Sequence, residues 1–361
     1  MDAPRFLILA DGDFGPMTSK TANSIIRYLP ARTVAVLDRQ QAGKTAQDVL
    51  GFGGSIPVVR SMREGLAFKP SAVLVGIAPL GGRLPEEWRG WLAEALDAGC
   101  DLWSGLHTFL GDDPVLASKA KAGGKRIFDL RKPPSDLKVA SGAAKAVEPY
   151  VVLTVGTDCN VGKMTAQLQL TRSLNAGGLR TRFVATGQTG IMIEGWGIAV
   201  DAVVADFVAG AAERLVLEGS ADADVVLVEG QGSINHPGYS AVTLGLLHGS
   251  CPDGLILCHQ CTRQYIGDYR PAAWLRIPPL TEYIRLYETI GSAVHPTKVI
   301  GISLNTYDMS DEAALRACEE ASRETGLPAT DPVRFDSAPL VDAVKKGRAA
   351  YLSSRKRLVP A

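Results

Sequence analysis

The residues with the clearest chemical pattern lie between positions 155 and 165. They read Val-Gly-Thr-Asp-Cys-Asn-Val-Gly-Lys-Met-Thr, and they join an apolar run to a stretch with helical spacing. A glycine-containing loop in that position directs backbone N–H groups toward a helix N-terminus, where the helix dipole also favours negative charge. Lys163 adds a mobile cation, so the pattern predicts a phosphate-binding loop of the P-loop type. The predicted ligand-binding residues are Asp158, Cys159, Asn160, Val161, Gly162, Lys163, Met164 and Thr165.

This loop departs from the usual P-loop pattern in two ways. Five residues separate Gly156 from Gly162, where the usual spacing has four. Met164 stands where a Ser or Thr hydroxyl would hold Mg²⁺, and Thr165 comes one position late. Phosphate binding without an obligatory metal is therefore the expectation, because Mg²⁺-assisted phosphoryl transfer depends on that hydroxyl.

A second group of candidate residues follows two other apolar runs. Glu229 comes directly after the run 224–228, and His236 lies further along the same predicted loop. Gln188 belongs to Thr-Gly-Gln-Thr-Gly at 186–190, after the run 181–185. Ligands bind at the carboxyl ends of strands in open parallel sheets, so we expect these residues near the phosphate loop.

These side chains suit proton transfer and oxygen binding, and each also has a structural interpretation. Glu229 or His236 could take a proton from an amine, and Gln188 could donate a hydrogen bond to a substrate oxygen. Alternatively, Glu229 caps local backbone N–H groups, His236 is a structural hydrogen-bonding residue, and 186–190 is a plain turn. The sequence leaves both sets of roles open.

Short apolar runs alternate with helical patterns along the chain, which predicts an α/β fold with parallel sheets. The Pro-, Gly- and Lys-rich stretch 131–149 interrupts the rhythm and predicts two domains, residues 1–145 and 146–361. The predicted strands are 5–10, 33–37, 56–59, 72–77, 126–130, 150–155, 181–185, 224–228, 254–257 and 298–303. The predicted helices are 19–28, 85–98, 114–122, 163–176, 201–218, 279–290 and 311–325.

Composition excludes several classes of function. The 361 residues include 38 Lys and Arg and 38 Asp and Glu, so there is no charge excess for nucleic acid or an anionic membrane. The apolar runs are much shorter than a membrane span of ~20 residues, which predicts a soluble, cytoplasmic protein. The six cysteines are expected as free thiols, and Cys258 and Cys261 have no second pair that would complete a zinc site. A homo-oligomer is the default expectation.

The first domain offers two arginines for substrate carboxylates. Arg83 and Arg131 stand in predicted loops after strands, and a guanidinium group binds a carboxylate through two parallel hydrogen bonds. The segments 10–15 and 37–39 also follow strands, where a nucleotide-binding fold would hold its ligand. They lack the Gly-x-Gly-x-x-Gly pattern, so a dinucleotide site is not predicted.

Several stretches together resemble a bacterial family that was long labelled a domain of unknown function and whose characterised members are D-glutamate N-acetyltransferases. They are the phosphate loop, the Glu229 loop, 183–192, 199–213, 243–249, 38–45 and 104–107. The phosphate loop is also similar to that of dethiobiotin synthetases. The resemblance implies a Rossmann-like N-terminal domain followed by a P-loop NTPase-like C-terminal domain.

The resemblance further implies an enzyme that uses acetyl-CoA to acetylate the amine of D-glutamate, a small amino-acid substrate. The sequence leaves two other functions open. One is an ATP- and Mg²⁺-dependent carboxylate-activating ligase of the dethiobiotin-synthetase type. The other is a nucleotide-responsive binding protein without turnover.

Overall fold

The structure, a computed structural model, describes residues 3–77, 84–267 and 273–358. Its backbone contacts divide the chain into two compact units. The first unit comprises residues up to Pro133 together with Ile191–Ala199, and the second comprises Pro134–Gly190 and the residues from Val200 onward. The predicted boundary at residue 145 falls inside a short 3-10 helix, Ala143–Ala146, of the second unit.

The first unit alternates strands and helices. Its elements are β1 (Phe6–Leu9), α1 (Lys20–Tyr28), β2 (Thr33–Leu37), α2 (Ala46–Leu50), β3 (Val58–Val59), α3 (Met62–Leu66), β4 (Ala72–Val75), α4 (Glu86–Asp97), β5 (Asp101–Ser104), α5 (Pro114–Gly123) and β6 (Ile127–Asp129). The sheet order is β3-β2-β1-β4-β5-β6, and every strand pair is parallel. This is the strand order of Rossmann folds, with its reversal between β1 and β4. The side chains of β1 and β4 are buried on both faces, as a sheet covered by helices requires.

The second unit is also a parallel sheet with crossover helices. Its elements are β7 (Tyr150–Gly156), α6 (Lys163–Ala176), β8 (Thr181–Val184), α7 (Gln188–Glu194), α8 (Ala205–Gly219), β9 (Val225–Val228), α9 (Ser240–Ser250), β10 (Gly254–Gln260), α10 (Leu280–Gly291), β11 (Lys298–Asn305), α11 (Asp311–Thr325), β12 (Ala329–Thr330) and α12 (Ala338–Leu358). Helix α7 begins in this unit and ends among residues of the first.

The strand order in the second sheet is β12-β11-β10-β7-β9-β8, again with parallel pairs throughout. Strand β7 therefore lies between β10 and β9. The chain runs from β7 to β8 and β9 on one side of it, and then crosses to β10, β11 and β12 on the other. A crevice forms at such a point outside the carboxyl ends of the strands. The loops that follow β7, β8, β9, β10 and β11 all meet at this edge.

The predicted fold class is confirmed, and each predicted strand and helix overlaps an observed one. The sequence patterns missed β5, β12 and the helices α2, α3, α7, α9 and α12. Helix α9 contains two glycines that let it pack closely on α8: a Cβ at Gly249 would lie 2.1 Å from the carbonyl oxygen of Ala209. Among the described residues, no helix is both long and apolar enough to cross a membrane.

The stretch that interrupts the α/β rhythm is held to α8 by a buried carboxylate. Glu213 accepts hydrogen bonds from the backbone N–H of Ser141 at 2.9 Å, from the Ser141 hydroxyl at 2.9 Å and from the backbone N–H of Ala143 at 2.6 Å. Burial raises the pKa of Glu213, but these donors outweigh it and hold the pKa below its ordinary value. Glu213 is therefore ionised in the folded protein at neutral pH.

The substitution Glu213→Gln should lower the free energy of unfolding by about 2–3 kcal/mol at pH 7, because charged acceptors of buried donors contribute about that much. Glu218→Gln on the same helix is the matched control, since Glu218 pairs with Arg214 at the surface. The loss should shrink as the pH falls below 4.5, the ordinary value, because the folded pKa lies lower and protonation then removes the same interaction from the wild type. Urea unfolding at several pH values measures this, and equal effects of the two variants would contradict it.

Candidate active site

The phosphate loop occupies the connection between β7 and α6. Two of its residues have a left-handed backbone, Asn160 with φ 54° and Gly162 with φ 105°. Glycine adopts that conformation without strain, and asparagine tolerates it better than most residues. Gly162 directly precedes the first residue of α6. The loop thereby turns sharply into the helix, whose first N–H groups have no partner within the helix and can bind an anion.

Lys163 is folded back over this loop. Its side chain is buried, and its Nζ donates to the carbonyl oxygen of Asp158 at 2.7 Å. Gly156 leaves the space that this conformation needs, since a Cβ there would lie 2.9 Å from Lys163 Nζ. Met164 is buried, so its side chain fills the core where a P-loop usually presents a hydroxyl.

Asp158 anchors the loop through its carboxylate rather than presenting it to a ligand. The side chain is fully buried. Its Oδ2 accepts from Arg263 Nη1 at 2.8 Å and from the backbone N–H of Gly267 at 2.9 Å, while Oδ1 accepts from the N–H of Cys159 at 2.7 Å. Arg263 Nη1 also donates to the carbonyl oxygen of Cys159 at 2.8 Å. Arg263 and Gly267 were not singled out from the sequence, because nothing in their spacing links them to residue 158.

His236 joins Asp158 and Cys159 in one buried cluster. A ligand atom from each of the three lies within 4.8 Å of the others, and His236 Nε2 is 3.9 Å from Asp158 Oδ1. Such a trio could bind a metal ion, although a cation would compete with Arg263 for Asp158. The backbone N–H of Gly238 donates to His236 Nδ1 at 3.0 Å. The neutral ring therefore carries its proton on Nε2, and it presents a donor to the phosphate loop instead of a lone pair.

Two buried tyrosines of α10 hold the backbone of the phosphate loop. Tyr287 donates its hydroxyl to the carbonyl oxygen of Gly156 at 2.7 Å and accepts from the N–H of Ile234 at 3.0 Å. Tyr283 donates to the carbonyl oxygen of Thr157 at 2.8 Å. Burial raises the pKa of Tyr287 to about 12 and that of Tyr283 further, so both hydroxyls stay protonated. Their four-residue spacing on one helix face was the only available sequence signal.

Thr157 is also tied to β10, through His259. Its hydroxyl lies 2.9 Å from His259 Nδ1. Burial lowers the pKa of His259 to about 4, and the nearby Arg263 guanidinium lowers it in the same direction. His259 is therefore neutral at neutral pH.

Glu229 and the 186–190 segment come together at the ends of β9 and β8, as the sequence predicted. Glu229 Oε2 accepts from the backbone N–H groups of Thr186 at 3.0 Å and Gly187 at 3.1 Å. The carboxylate is almost fully buried, and a Cβ at Gly190 would lie 2.5 Å from Oε2. Gln188 begins α7 beside this carboxylate. Glu229 thus holds the β8 loop at the same sheet edge as the phosphate loop.

Gly230 connects the Glu229 loop to the strand that carries the phosphate loop. Its N–H donates to the Thr154 hydroxyl at 2.9 Å. A Cβ at Gly230 would lie 1.6 Å from the carbonyl oxygen of Thr154, so only glycine fits there. The approach of these two strand ends brings Glu229 close to the phosphate loop.

The first unit fills its own Rossmann-type anion position. The buried Asp38, directly after β2, accepts from the N–H groups of Gly12 and Phe14 at 3.0 Å each. Its other oxygen accepts from the N–H groups of Gln40 at 2.8 Å and Gln41 at 2.9 Å. The amides that would face a nucleotide phosphate at this point therefore bind a carboxylate of the chain itself.

The two arginines predicted to bind substrate carboxylates belong to the first unit. Arg83 lies outside the described residues. Arg131 follows β6, and only 5% of it is exposed. In the first unit, little of the Arg131 surface is therefore accessible to a ligand.

These features define a P-loop protein whose second unit carries the phosphate loop and whose first unit has Rossmann topology. Family models match the same two parts of the chain. Residues 138–341 match the P-loop domain DUF1611_C and residues 39–133 the Rossmann-like domain DUF1611_N, both described as domains of unknown function. The chain belongs to the DUF1611 family, which confirms the family predicted from the sequence.

Relatives cover nearly the whole chain. A D-glutamate N-acetyltransferase of Tritonibacter scottomollicae is 40% identical over 349 residues, which are 95% of this chain and 99% of that protein. A D-glutamate N-acetyltransferase of a Pseudoalteromonas species is 36% identical over 278 residues, 76% of this chain and 81% of that one. The crystal structure of a DUF1611 family protein from Anabaena variabilis superimposes with a TM-score of 0.90 at 42% identity, covering 95% of this chain and all of that chain.

Removing the hydroxyl of Tyr287 should loosen both loops that it joins. We expect Tyr287→Phe to lower the free energy of unfolding by about 1–3 kcal/mol, because the buried groups that it bonds are left without a partner. Tyr307→Phe is the control, since Tyr307 is 60% exposed. Chemical denaturation measures the difference, and a loss no larger than that of the control would contradict the bridging role.

Proposed function

We propose that this protein is an N-acetyltransferase that transfers the acetyl group of acetyl-CoA to the amine of D-glutamate, giving N-acetyl-D-glutamate and CoA. The names of two relatives at 36–40% identity support this activity. The proposal includes a soluble, cytoplasmic enzyme without a nucleic-acid partner or an obligatory metal, and a homo-oligomeric state.

One observation about the site carries the proposal: the acidic groups beside the phosphate loop are already bound to donors of the protein. Asp158 accepts from Arg263 and Gly267, and Glu229 accepts from two backbone N–H groups. Met164 replaces the usual hydroxyl. Phosphoryl transfer needs carboxylate and hydroxyl oxygens around Mg²⁺, whereas holding a phosphate needs only N–H donors and a cation. This arrangement favours a ligand whose phosphate is bound and left intact, as in coenzyme A.

The residues at the β9 and β8 ends can serve the transfer itself. In this proposal, Glu229 accepts a proton from the substrate ammonium, and the free amine then attacks the thioester carbonyl carbon. The C–N bond forms, the C–S bond breaks, and CoA leaves as the thiol after taking up a proton. In the proposal, Gln188, the first residue of α7, donates a hydrogen bond to the thioester oxygen as negative charge develops there.

We assign the role of base to Glu229 rather than to His236, because a carboxylate has about four lone-pair sites whereas a neutral imidazole has one. The lone pair of the neutral His236 ring, on Nδ1, already accepts the N–H of Gly238. His236 instead acts as a fixed N–H donor beside Asp158 and Cys159. A covalent intermediate on Cys159 is not part of the proposal, because a CoA phosphate bound to this loop places the thioester at the far end of the pantetheine arm. Arg83 and Arg131 stay predictions for the two substrate carboxylates.

Thiol release measures this activity directly. Purified protein is mixed with acetyl-CoA and either D-glutamate or L-glutamate, in the presence of EDTA. We expect release of the CoA thiol that depends on D-glutamate and survives EDTA, with N-acetyl-D-glutamate as the second product. Formation of ADP from MgATP and a carboxylic acid, without thiol release, would instead establish the carboxylate-activating ligase.

The substitution Lys163→Ala tests whether Lys163 binds the phosphate of acetyl-CoA in this reaction. We expect the KM for acetyl-CoA to rise by about ten-fold or more, because a charge-assisted hydrogen bond contributes about 1.5–3 kcal/mol. The KM for D-glutamate should change much less. Lys298→Ala is the matched control, since Lys298 is exposed on β11 and pairs with Glu288. An unchanged KM for acetyl-CoA in Lys163→Ala would contradict the phosphate-binding role.

A further inference from the structure

Exposed aromatic side chains gather on one side of the phosphate loop. In the described part of the chain, the exposed aromatic residues are Phe68, Tyr239, Tyr265, Trp274 and Tyr307. Three of them, Tyr265, Trp274 and Tyr307, lie in the loops that follow β10 and β11. The strand order places β10 and β11 on one side of β7, and β9 and β8 on the other. These three aromatic residues therefore lie on the opposite side of the phosphate loop from Glu229 and Gln188.

Trp274 is the most exposed of them, at 73%, and its backbone is held near the phosphate loop. Residues 264–266 pair with 275–277 in antiparallel fashion, through Ile266 N–H to Leu275 carbonyl at 3.0 Å and Ile277 N–H to Gln264 carbonyl at 2.8 Å. Gly267 and Trp274 are the next residues on each side of this pairing. Gly267 donates to Asp158 at 2.9 Å, so Trp274 leaves the paired segment at the edge of the loop.

The segment that carries Trp274 has fixed attachments to the rest of the unit. Arg263 forms a largely buried ion pair with Asp158 and also bonds the carbonyl of Cys159. Ile266 is fully buried. An indole that stays in water while its backbone is anchored offers a preformed flat surface, which costs little conformational entropy when a ring stacks on it.

We propose that Trp274 stacks on the adenine ring of the coenzyme A donor whose phosphate lies in the phosphate loop. This inference rests on the proposed function and adds the direction in which coenzyme A lies across the strand ends. The adenine lies over the β10 side, and the pantetheine arm runs across the ends of β9 and β8. Two strand spacings amount to about 10 Å, which the arm can span to bring the thioester past Glu229 toward Gln188.

The test compares two acetyl donors in binding experiments without turnover. Acetyl-CoA carries the adenosine, whereas S-acetyl-4′-phosphopantetheine has the same thioester and a phosphate but no adenine. We expect Trp274→Ala to weaken acetyl-CoA binding about ten-fold, which corresponds to about 1.4 kcal/mol and lies within the range for one stacked base. Binding of S-acetyl-4′-phosphopantetheine should stay unchanged, and Trp274→Phe should retain most of the affinity for acetyl-CoA.

Phe68→Ala is the control, because Phe68 is an exposed aromatic residue of the first unit. If Trp274→Ala weakened the binding of both acetyl donors equally, or of neither, the proposed stacking of adenine on Trp274 would be overturned. A wild-type protein that binds neither donor nor ADP would also overturn it.

ADP separates this inference from the proposed function. If ADP binding depends on Trp274 but no N-acetyl product forms, adenine stacking on Trp274 is supported and acetyl transfer to D-glutamate is contradicted. If acetyl transfer proceeds normally in Trp274→Ala with an unchanged KM for acetyl-CoA, adenine stacking on Trp274 is contradicted and the proposed function is supported.

Discussion

The buried carboxylate of Asp158 is the interaction on which the candidate site depends. It lies inside the phosphate loop, and it joins that loop to Arg263 and to the backbone of Gly267 in the segment after β10. Removing one partner of such a buried pair typically costs about 3–5 kcal/mol, because the other charge is left without compensation. The loop can keep its amides directed at an anion only while this carboxylate is satisfied from within the protein.

Around that anchor, the loop backbone is held from three directions. Tyr283 and Tyr287 bond its carbonyl groups from α10, Thr157 is tied to His259, and Lys163 closes over Asp158. Tyr283, Tyr287 and Lys163 bond carbonyl oxygens of the loop, whereas Thr157 bonds His259 through its hydroxyl. A rigid cradle of donors suits a phosphate that is bound and kept. Asp158 and Glu229 already accept hydrogen bonds from groups of the protein.

The two units differ at the loop where the strand order reverses. Each has a parallel sheet with a loop that follows a buried strand at the point where the strand order reverses. In the first unit, Asp38 binds four backbone N–H groups of the surrounding loops and so takes the place of a ligand anion. In the second, Asp158 and Glu229 accept hydrogen bonds from donors outside α6. Both units share one general architecture, but the P-loop sequence lies in the second.

The sequence alone determined the architecture and the phosphate loop, because both depend on local patterns. Buried parallel strands are short apolar runs, and the loop 156–163 carries its glycines and lysine within eight consecutive residues. Helix α9 is not evident from such patterns, because its glycines pack on α8 and leave no clear amphipathic stripe. Strand β5 is hidden in the sequence because polar residues stand at both of its ends.

Only the tertiary structure decided what the polar side chains do. The sequence predicts Asp158 as a ligand-binding residue and leaves Glu229 as a base or a backbone cap, and in the structure each accepts hydrogen bonds from N–H groups of distant segments. The proton position on His236 follows from Gly238, and the roles of Arg263, Tyr283 and Tyr287 follow from contacts across more than 100 residues. Hydrogen-bond partners of buried groups are set by the packing of whole elements, and no local pattern records them.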